Sequence, residues 1–275
     1  MEDQAYRFAA RSGKATLYKF RPHQSSEHRE WVRQIIVEHK VYFSRASQLN
    51  DPFDMSPRLE TVTRERLIAG ANDHWSRHPE IPQEERTRLV EYFSSCDLAE
   101  HATTAQAKMR KRIEDGYSVF SLAGNRDHLM LWSHYAQGHT GLCVHFCAEE
   151  GSLFGASMGV IYSDSRPLVP VEVRSISERE LFQRIIFHKG KFWEYEEEYR
   201  WPKFPDTDYS DLPIKFIGEF GHFPPSALSG ITVGIRMPDR HVRKVLDLAA
   251  SHNPRLPVWR ALEAHSFALD FELLS

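Results

Sequence analysis

Residues 117–146 read YSVFSLAGNRDHLMLWSHYAQGHTGLCVHF, and two β patterns enclose one short helical pattern. Tyr117-Ser118-Val119-Phe120-Ser121-Leu122 is rich in β-branched and aromatic residues and predicts a strand. Asp127 stands where an N-cap is needed for a helix carrying Leu131, Trp132 and Tyr135. Gly138 suits the left-handed residue that stops such a helix. Leu142 to Phe146 predicts the next strand. Further strands are expected at Val160-Ile161-Tyr162, Glu196 to Trp201 (ended by Pro202), Ile214 to Ile217, Ile231 to Ile235, Val258 to Arg260 and Phe267 to Phe271. Many are too close in sequence for a helical crossover between them. The chain is therefore expected to be α+β with a mainly antiparallel sheet.

Upstream, Leu17-Tyr18-Lys19-Phe20 predicts a strand, and Ser25 or Ser26 an N-cap for a helix with Trp31, Ile35 and Ile36 at helical spacing. Val41 to Ser44 predicts another strand, broken by the turn-forming Asn50-Asp51-Pro52-Phe53-Asp54. From Arg58 to Asp115 helix formers dominate and strand signals vanish, so 58–115 is expected as a helical insertion in a single domain spanning 1–275. Lys108, Arg110, Lys111 and Arg112 form its basic cluster, which reads most simply as a solvated helix face. Ser177 to Phe187 is expected to be helical, and Pro238 to open a last helix as its N1 residue.

Lys+Arg is 35 and Asp+Glu 38 in 275 residues, a near balance that excludes a polybasic nucleic-acid coat. Three cysteines cannot build a disulfide framework. MEDQAYRFAARSGKAT lacks an apolar signal-peptide core. No apolar run approaches the ~18 residues of a membrane helix. A soluble cytoplasmic protein with no membrane partner is expected.

The fifteen histidines raise metal binding, but spacing argues against it. Cys143 and Cys147 on one strand face would lie roughly 13 Å apart, too far to share one zinc. His74 and His78 have helical ligand spacing but no evident third ligand. No metal site is expected, and there is no phosphate-loop, nucleophile-elbow or dinucleotide-binding motif.

Three constellations remain. Trp132-Ser133-His134-Tyr135-Ala136-Gln137-Gly138-His139-Thr140-Gly141 offers proton carriers and a stacking ring at a glycine-bracketed corner, where the plain alternative is packing. Trp193-Glu194-Tyr195-Glu196-Glu197-Glu198-Tyr199-Arg200-Trp201, if a strand, sets Glu196, Glu198 and Arg200 on one face. A carboxylate held ionised beside arginine suits a cationic sugar transition state, whereas the plain alternative is a solvated edge strand. Asn50, Asp51 and Phe53 belong to a turn that could equally be structural.

Leu17-Tyr18-Lys19-Phe20, Tyr42-Phe43-Ser44, Asn50-Asp51-Pro52-Phe53-Asp54, Trp132-Ser133-His134-Tyr135-Ala136 with His139 and Gly141, Val160-x-Tyr162 and Lys189-x-x-x-Trp193-x-Tyr195-Glu196-x-Glu198-Tyr199-Arg200 follow in an order that resembles a large bacterial family catalogued as a domain of unknown function. The match spans roughly Leu17 to Leu274, with 58–115 as its variable part. The layout is also similar to the ADP-ribosyltransferase superfamily. That resemblance implies two half-sheets around a cleft and NAD as substrate. It implies Glu198 as the catalytic carboxylate and Glu196 as its partner, with His134 beside them. Lys19 would contact phosphate or ribose, Tyr18 or Tyr135 would stack on nicotinamide, and Ser44 or Ser121 would be the middle-strand serine. Asn50, Asp51, Phe53, Trp132, His139 and Arg200 would complete the NAD site. The acceptor would be a protein or nucleic acid, and the role that of a toxin or antiviral effector with a neutralising partner. A rival is a metal-dependent hydrolase or nuclease using Asp51, Asp54, His134 and Glu198. Another is a non-enzymatic binding module.

Overall fold

A computed structural model describes residues 7–170, 177–204 and 207–275. The first half of the chain forms β1 (Thr16–Arg21), α1 (Ser26–Val37), β2 (Lys40–Tyr42), β3 (Ser44–Arg45), β4 (Arg58–Leu59), α2 (Arg64–Arg77), α3 (Gln83–Ser95), α4 (Leu98–Gly116), β5 (Ser118–Ala123) and α5 (Leu129–Tyr135). There follow β6 (Leu142–Cys147), β7 (Met158–Gly159), β8 (Ile161–Ser163), β9 (Leu168–Val169), α6 (Glu178–Ile186), β10 (His188–Gly190), β11 (Glu198–Lys203), β12 (Lys215–Ile217), β13 (Phe220–His222), β14 (Leu228–Val233), α7 (Asp239–His252), β15 (Val258–Glu263) and β16 (Leu269–Leu273). The chain divides into a first unit of Met1–Ser44, Ser118–Val160 and Phe192–Ser275, and a second of Arg45–Tyr117 and Ile161–Lys191.

The first unit is built on a sheet with strand order β16-β15-β14-β6-β1-β5-β11-β7. Its pairings are antiparallel except β14 with β15, which α7 joins as a crossover. Both faces are covered, so β5 and β6 are buried almost throughout, as near-continuous apolar strands require. One face carries Leu17, Phe120, Val144 and Ile231 against Val32, Ile35 and Ile36 of α1 and Val242 and Val245 of α7. The other carries Phe20, Ala123 and Cys143 against Leu131 and Trp132 of α5. The strands β12-β13-β2 form a separate small sheet. The expected α+β class with a large, mainly antiparallel sheet is what this unit has.

Local capping follows the sequence closely. The Ser25 hydroxyl accepts from the His28 amide, and the Ser177 hydroxyl from the Glu180 amide. Four expectations need correction. His128, not Asp127, caps α5, its Nδ1 accepting from the Met130 amide. Pro238 is the N-cap of α7 rather than its first helical residue. The strand expected from Glu196 begins at Glu198, because Lys191–Glu196 is a 3-10 turn and Glu197 is left-handed at φ 42°. Pro202 does not end that strand: β7 pairs only with Tyr199 and Arg200, so a missing amide is tolerated on the outer edge at 202.

The second unit holds the helical stretch and is wider than the expected 58–115. It also takes in the Asp51 turn and Ile161–Lys191. Leu67, Ala71 and Trp75 of α2 pack with Phe93 of α3 in their own small core. Between α3 and α4 the chain turns at Asp97, which caps α4, accepting from the Ala99 and Glu100 amides. Two short parallel pairs, β4 with β9 and β8 with β10, complete it. Among the described residues, no helix is long and apolar enough to cross a membrane.

Candidate functional site

The strands β1, β5 and β11 are adjacent in the first unit, and their register lines up Tyr18, Ala123 and Glu198 in one row. Directly paired residues share a face, so Tyr18 and Glu198 project to the same side. One step along, Arg200 pairs with Ser121, which keeps Ser121 on that face too. Glu198 is 5% exposed and Arg200 is wholly buried. The guanidinium donates Nε to Glu198 Oε1 at 2.7 Å and Nη2 to Oε2 at 3.0 Å, a bidentate grip on the carboxylate. Ser121 Oγ is buried with no hydrogen-bond partner among the described residues. Of the two candidate serines, Ser121 is the one set opposite Arg200. Ser44 lies in β3, at the end of the first unit.

The left-handed Glu197 turns Glu196 off the strand and toward α5. There the Tyr135 hydroxyl donates to Glu196 Oε1 at 2.6 Å. Tyr195 stacks on the His128 ring, with centroids 5.1 Å apart, and its hydroxyl lies 3.1 Å from Nδ1 of His134. The kink is anchored from outside: Lys14 Nζ donates to Glu197 Oε2 and to the Gly124 carbonyl, both at 3.0 Å. Glu196 and Glu198 are therefore both buried, yet held by different donors, a phenol and a guanidinium.

Beside them lies an aromatic cluster. Tyr18 meets the His145 ring edge-on at 5.1 Å, and His145 stacks on Trp259 at the same separation. Burial lowers the His145 pKa to about 3, aided by the positive charge of Arg126. The Tyr18 hydroxyl is raised above its ordinary value, mainly by burial, and Arg126 opposes that shift. Burial likewise pushes the Cys143 thiol well up, leaving it protonated and inert. Trp132 is packed away, its indole N–H donating to the Arg126 carbonyl at 2.7 Å. His139 stacks parallel to Trp132, and burial lowers its pKa.

Not every expected residue joins this face. Lys19 follows Tyr18 on β1 and so points to the opposite side. Its ammonium donates to the Ser121 carbonyl at 2.7 Å and lies over the Phe120 ring. Asn50, Asp51 and Phe53 lie in the second unit. There Asp51 makes the expected Asx-turn, its Oδ1 accepting from the Phe53 amide at 2.8 Å. Asp54 is buried 3.8 Å from Lys189 Nζ. Among the described residues, no group of three His, Cys, Asp or Glu side chains is placed to hold a metal ion. Arg126 and His128 are not singled out from sequence, and Tyr195 only as part of the Trp193–Trp201 stretch, where alternation puts it on the face away from Glu196. The signal for two of them was their position in the connection between β5 and α5, where backbone and side chains meet the sheet end.

Comparison with protein-family models, with curated proteins and with solved structures found no match.

Proposed function

We propose that the first unit is an NAD-consuming enzyme of ADP-ribosyltransferase type with Glu198 as its catalytic carboxylate. The observation that carries this reading is the placement of Tyr18, Ser121 and Glu198 on one face of three adjacent strands. The resemblance implies a polar residue on the first strand, a serine on the middle one and a glutamate on the last; here Tyr18, not Lys19, is the first-strand residue on that face. Glu198 sets its negative charge against the ribose as the bond to nicotinamide breaks and nicotinamide leaves with the electron pair. That interaction strengthens only as positive charge develops, so it lowers the barrier rather than tightening binding. Arg200 holds the Glu198 carboxylate in place. Glu196, oriented by Tyr135, takes the proton from the acceptor, a macromolecule or water. Ser121 Oγ binds the ribose, and Tyr18 stacks on the nicotinamide. Lys19, on the far face, has no part in it. A cytosolic toxin or antiviral effector held in check by a neutralising partner is the role that suits such chemistry.

The test is nicotinamide release from NAD by the full chain, with protein, nucleic acid or water as acceptor. The wild type is expected to release nicotinamide, Ser121→Ala to be slower, and Glu198→Gln to lose about 10²–10³ in rate, the usual effect of removing such an electrostatic group. Circular dichroism of Glu198→Gln separates lost chemistry from lost fold. Absence of both NAD binding and cleavage under every acceptor condition sinks the reading.

A further inference from the structure

In the second unit Arg110 and Arg166 meet, with Arg58 near enough to act on Arg166, and among the described residues none has a carboxylate partner. Arg166 donates Nε to the Ser56 carbonyl at 2.7 Å and Nη2 to Ser56 Oγ at 3.1 Å. Arg110, from α4, donates Nε and Nη2 to the same hydroxyl at 3.3 and 3.2 Å. Two guanidiniums thus converge on one buried serine. Arg58 stands close enough that it and Arg110 both add to the burial that lowers the Arg166 pKa. Among the described residues, none of the three makes an ion pair. The nearby acids are engaged elsewhere: Asp54 with Lys189, Asp115 with Lys111, and Glu114 with the amide and hydroxyl of Ser47.

Like charges brought together without counter-ions oppose folding, and hydrogen bonds to the neutral Ser56 hydroxyl and carbonyl do not discharge them. An anion would discharge it, and arginine forks suit phosphate oxygens in particular. One further feature narrows the anion. Phe53, 61% exposed, presents its ring with the Arg166 guanidinium 5.7 Å from its centroid. An exposed ring beside a cationic cluster is the pairing by which bases stack while phosphates are held. The basic cluster of α4, which the sequence alone offers as a solvated face, is in fact divided. Lys111 pairs outward with Asp115, and Arg110 turns in to Ser56.

We infer that Arg58, Arg110 and Arg166 hold the phosphate of a nucleotide whose base stacks on Phe53, either as a free nucleotide or as part of a nucleic-acid strand. This site lies in the second unit and is independent of Glu198.

The full chain is titrated with inorganic phosphate, 5′-AMP and a labelled short single-stranded RNA, using calorimetry and fluorescence anisotropy. Saturable binding of 5′-AMP or RNA, tighter than that of phosphate, is expected. Tighter RNA than 5′-AMP binding assigns the strand as the source, and the reverse assigns the free nucleotide. Arg58→Gln with Arg110→Gln should weaken binding at least tenfold, with circular dichroism showing that the double variant keeps its fold. Phe53→Ala should weaken 5′-AMP or RNA without changing phosphate. No saturable binding of 5′-AMP or RNA, or binding indifferent to the double arginine variant or to Phe53→Ala, overturns the inference.

Discussion

Glu198 and Arg200, two residues apart on one strand, are joined by a bidentate hydrogen-bonded ion pair at 2.7 and 3.0 Å and are both buried. Residues i and i+2 of a strand share a face, so the backbone itself brings these charges together. Burial removes water from both, and the desolvation is offset only while each keeps its partner.

Removing one partner should therefore be costly. Arg200→Met is expected to lower stability by about 3–5 kcal/mol. Arg200→Lys should recover little of it, because an ammonium cannot reproduce the two-pronged grip. Urea denaturation followed by circular dichroism measures both. Wild-type stability in Arg200→Met would remove the ion pair from any structural role.

Tyr135→Phe deletes a hydroxyl that donates to Glu196 at 2.6 Å and leaves the ring in place. A hydrogen bond to a charged group is worth about 1.5–3 kcal/mol, and a loss in that range is expected by denaturation. If Glu196 also deprotonates the acceptor, transfer to that acceptor should fall further than NAD hydrolysis by water. Equal losses in both would leave Glu196 as a structural carboxylate.

Two glycines after α5 should respond differently to alanine. A Cβ at Gly141 would lie 2.2 Å from the Arg21 carbonyl oxygen and 2.9 Å from that of Ala136, so backbone must move. Gly141→Ala is expected to cost about 3 kcal/mol or more. Gly138 is left-handed at φ 62° with open space around it, and Gly138→Ala should cost only about 1–2 kcal/mol. Thermal melts of the two variants give the order, and a reversed order would contradict this packing.

Acid should destabilise the fold through neutral buried histidines. Burial lowers His145 to about 3 and His23 to about 4, the latter also facing His241, Arg29, Lys244 and His28. Both folded values lie below the ordinary 6.5. The unfolded chain therefore takes up these protons first. The stabilisation is complete above pH 6.5 and is lost as pH falls toward the folded values. For the deeply buried His145 the loss is about 2 kcal/mol between pH 6.5 and 5, at roughly 1.4 kcal/mol per unit. Urea titrations over that range should show a shallower slope for His145→Gln than for wild type. An unchanged slope would mean that His145 is not the titrating group.

Much of the fold was legible because it is locally encoded. Ser25 and Ser177 cap the helices they precede, and Asp51 forms the turn its side chain favours. The errors are also local and physical. Glu196 was assigned to a strand by alternation, but Glu197 adopts a left-handed backbone that interrupts it. Alternation counts side chains and does not register one reversed φ. The resemblance puts Lys19 and Tyr18 in one site, although neighbours on a strand face opposite ways.

The sequence by itself determined the α+β class, most of the elements and the Glu198–Arg200 pair, since propensity, capping and period-two spacing act within a few residues. Only the tertiary structure decided that β5 lies between β1 and β11, and so that Ser121 is the serine opposite Arg200. It also decided that Arg110 and Arg166, far apart in the chain, meet at Ser56. Strand neighbours and side-chain clusters of this kind depend on long-range pairing and burial, which no local pattern of residues records.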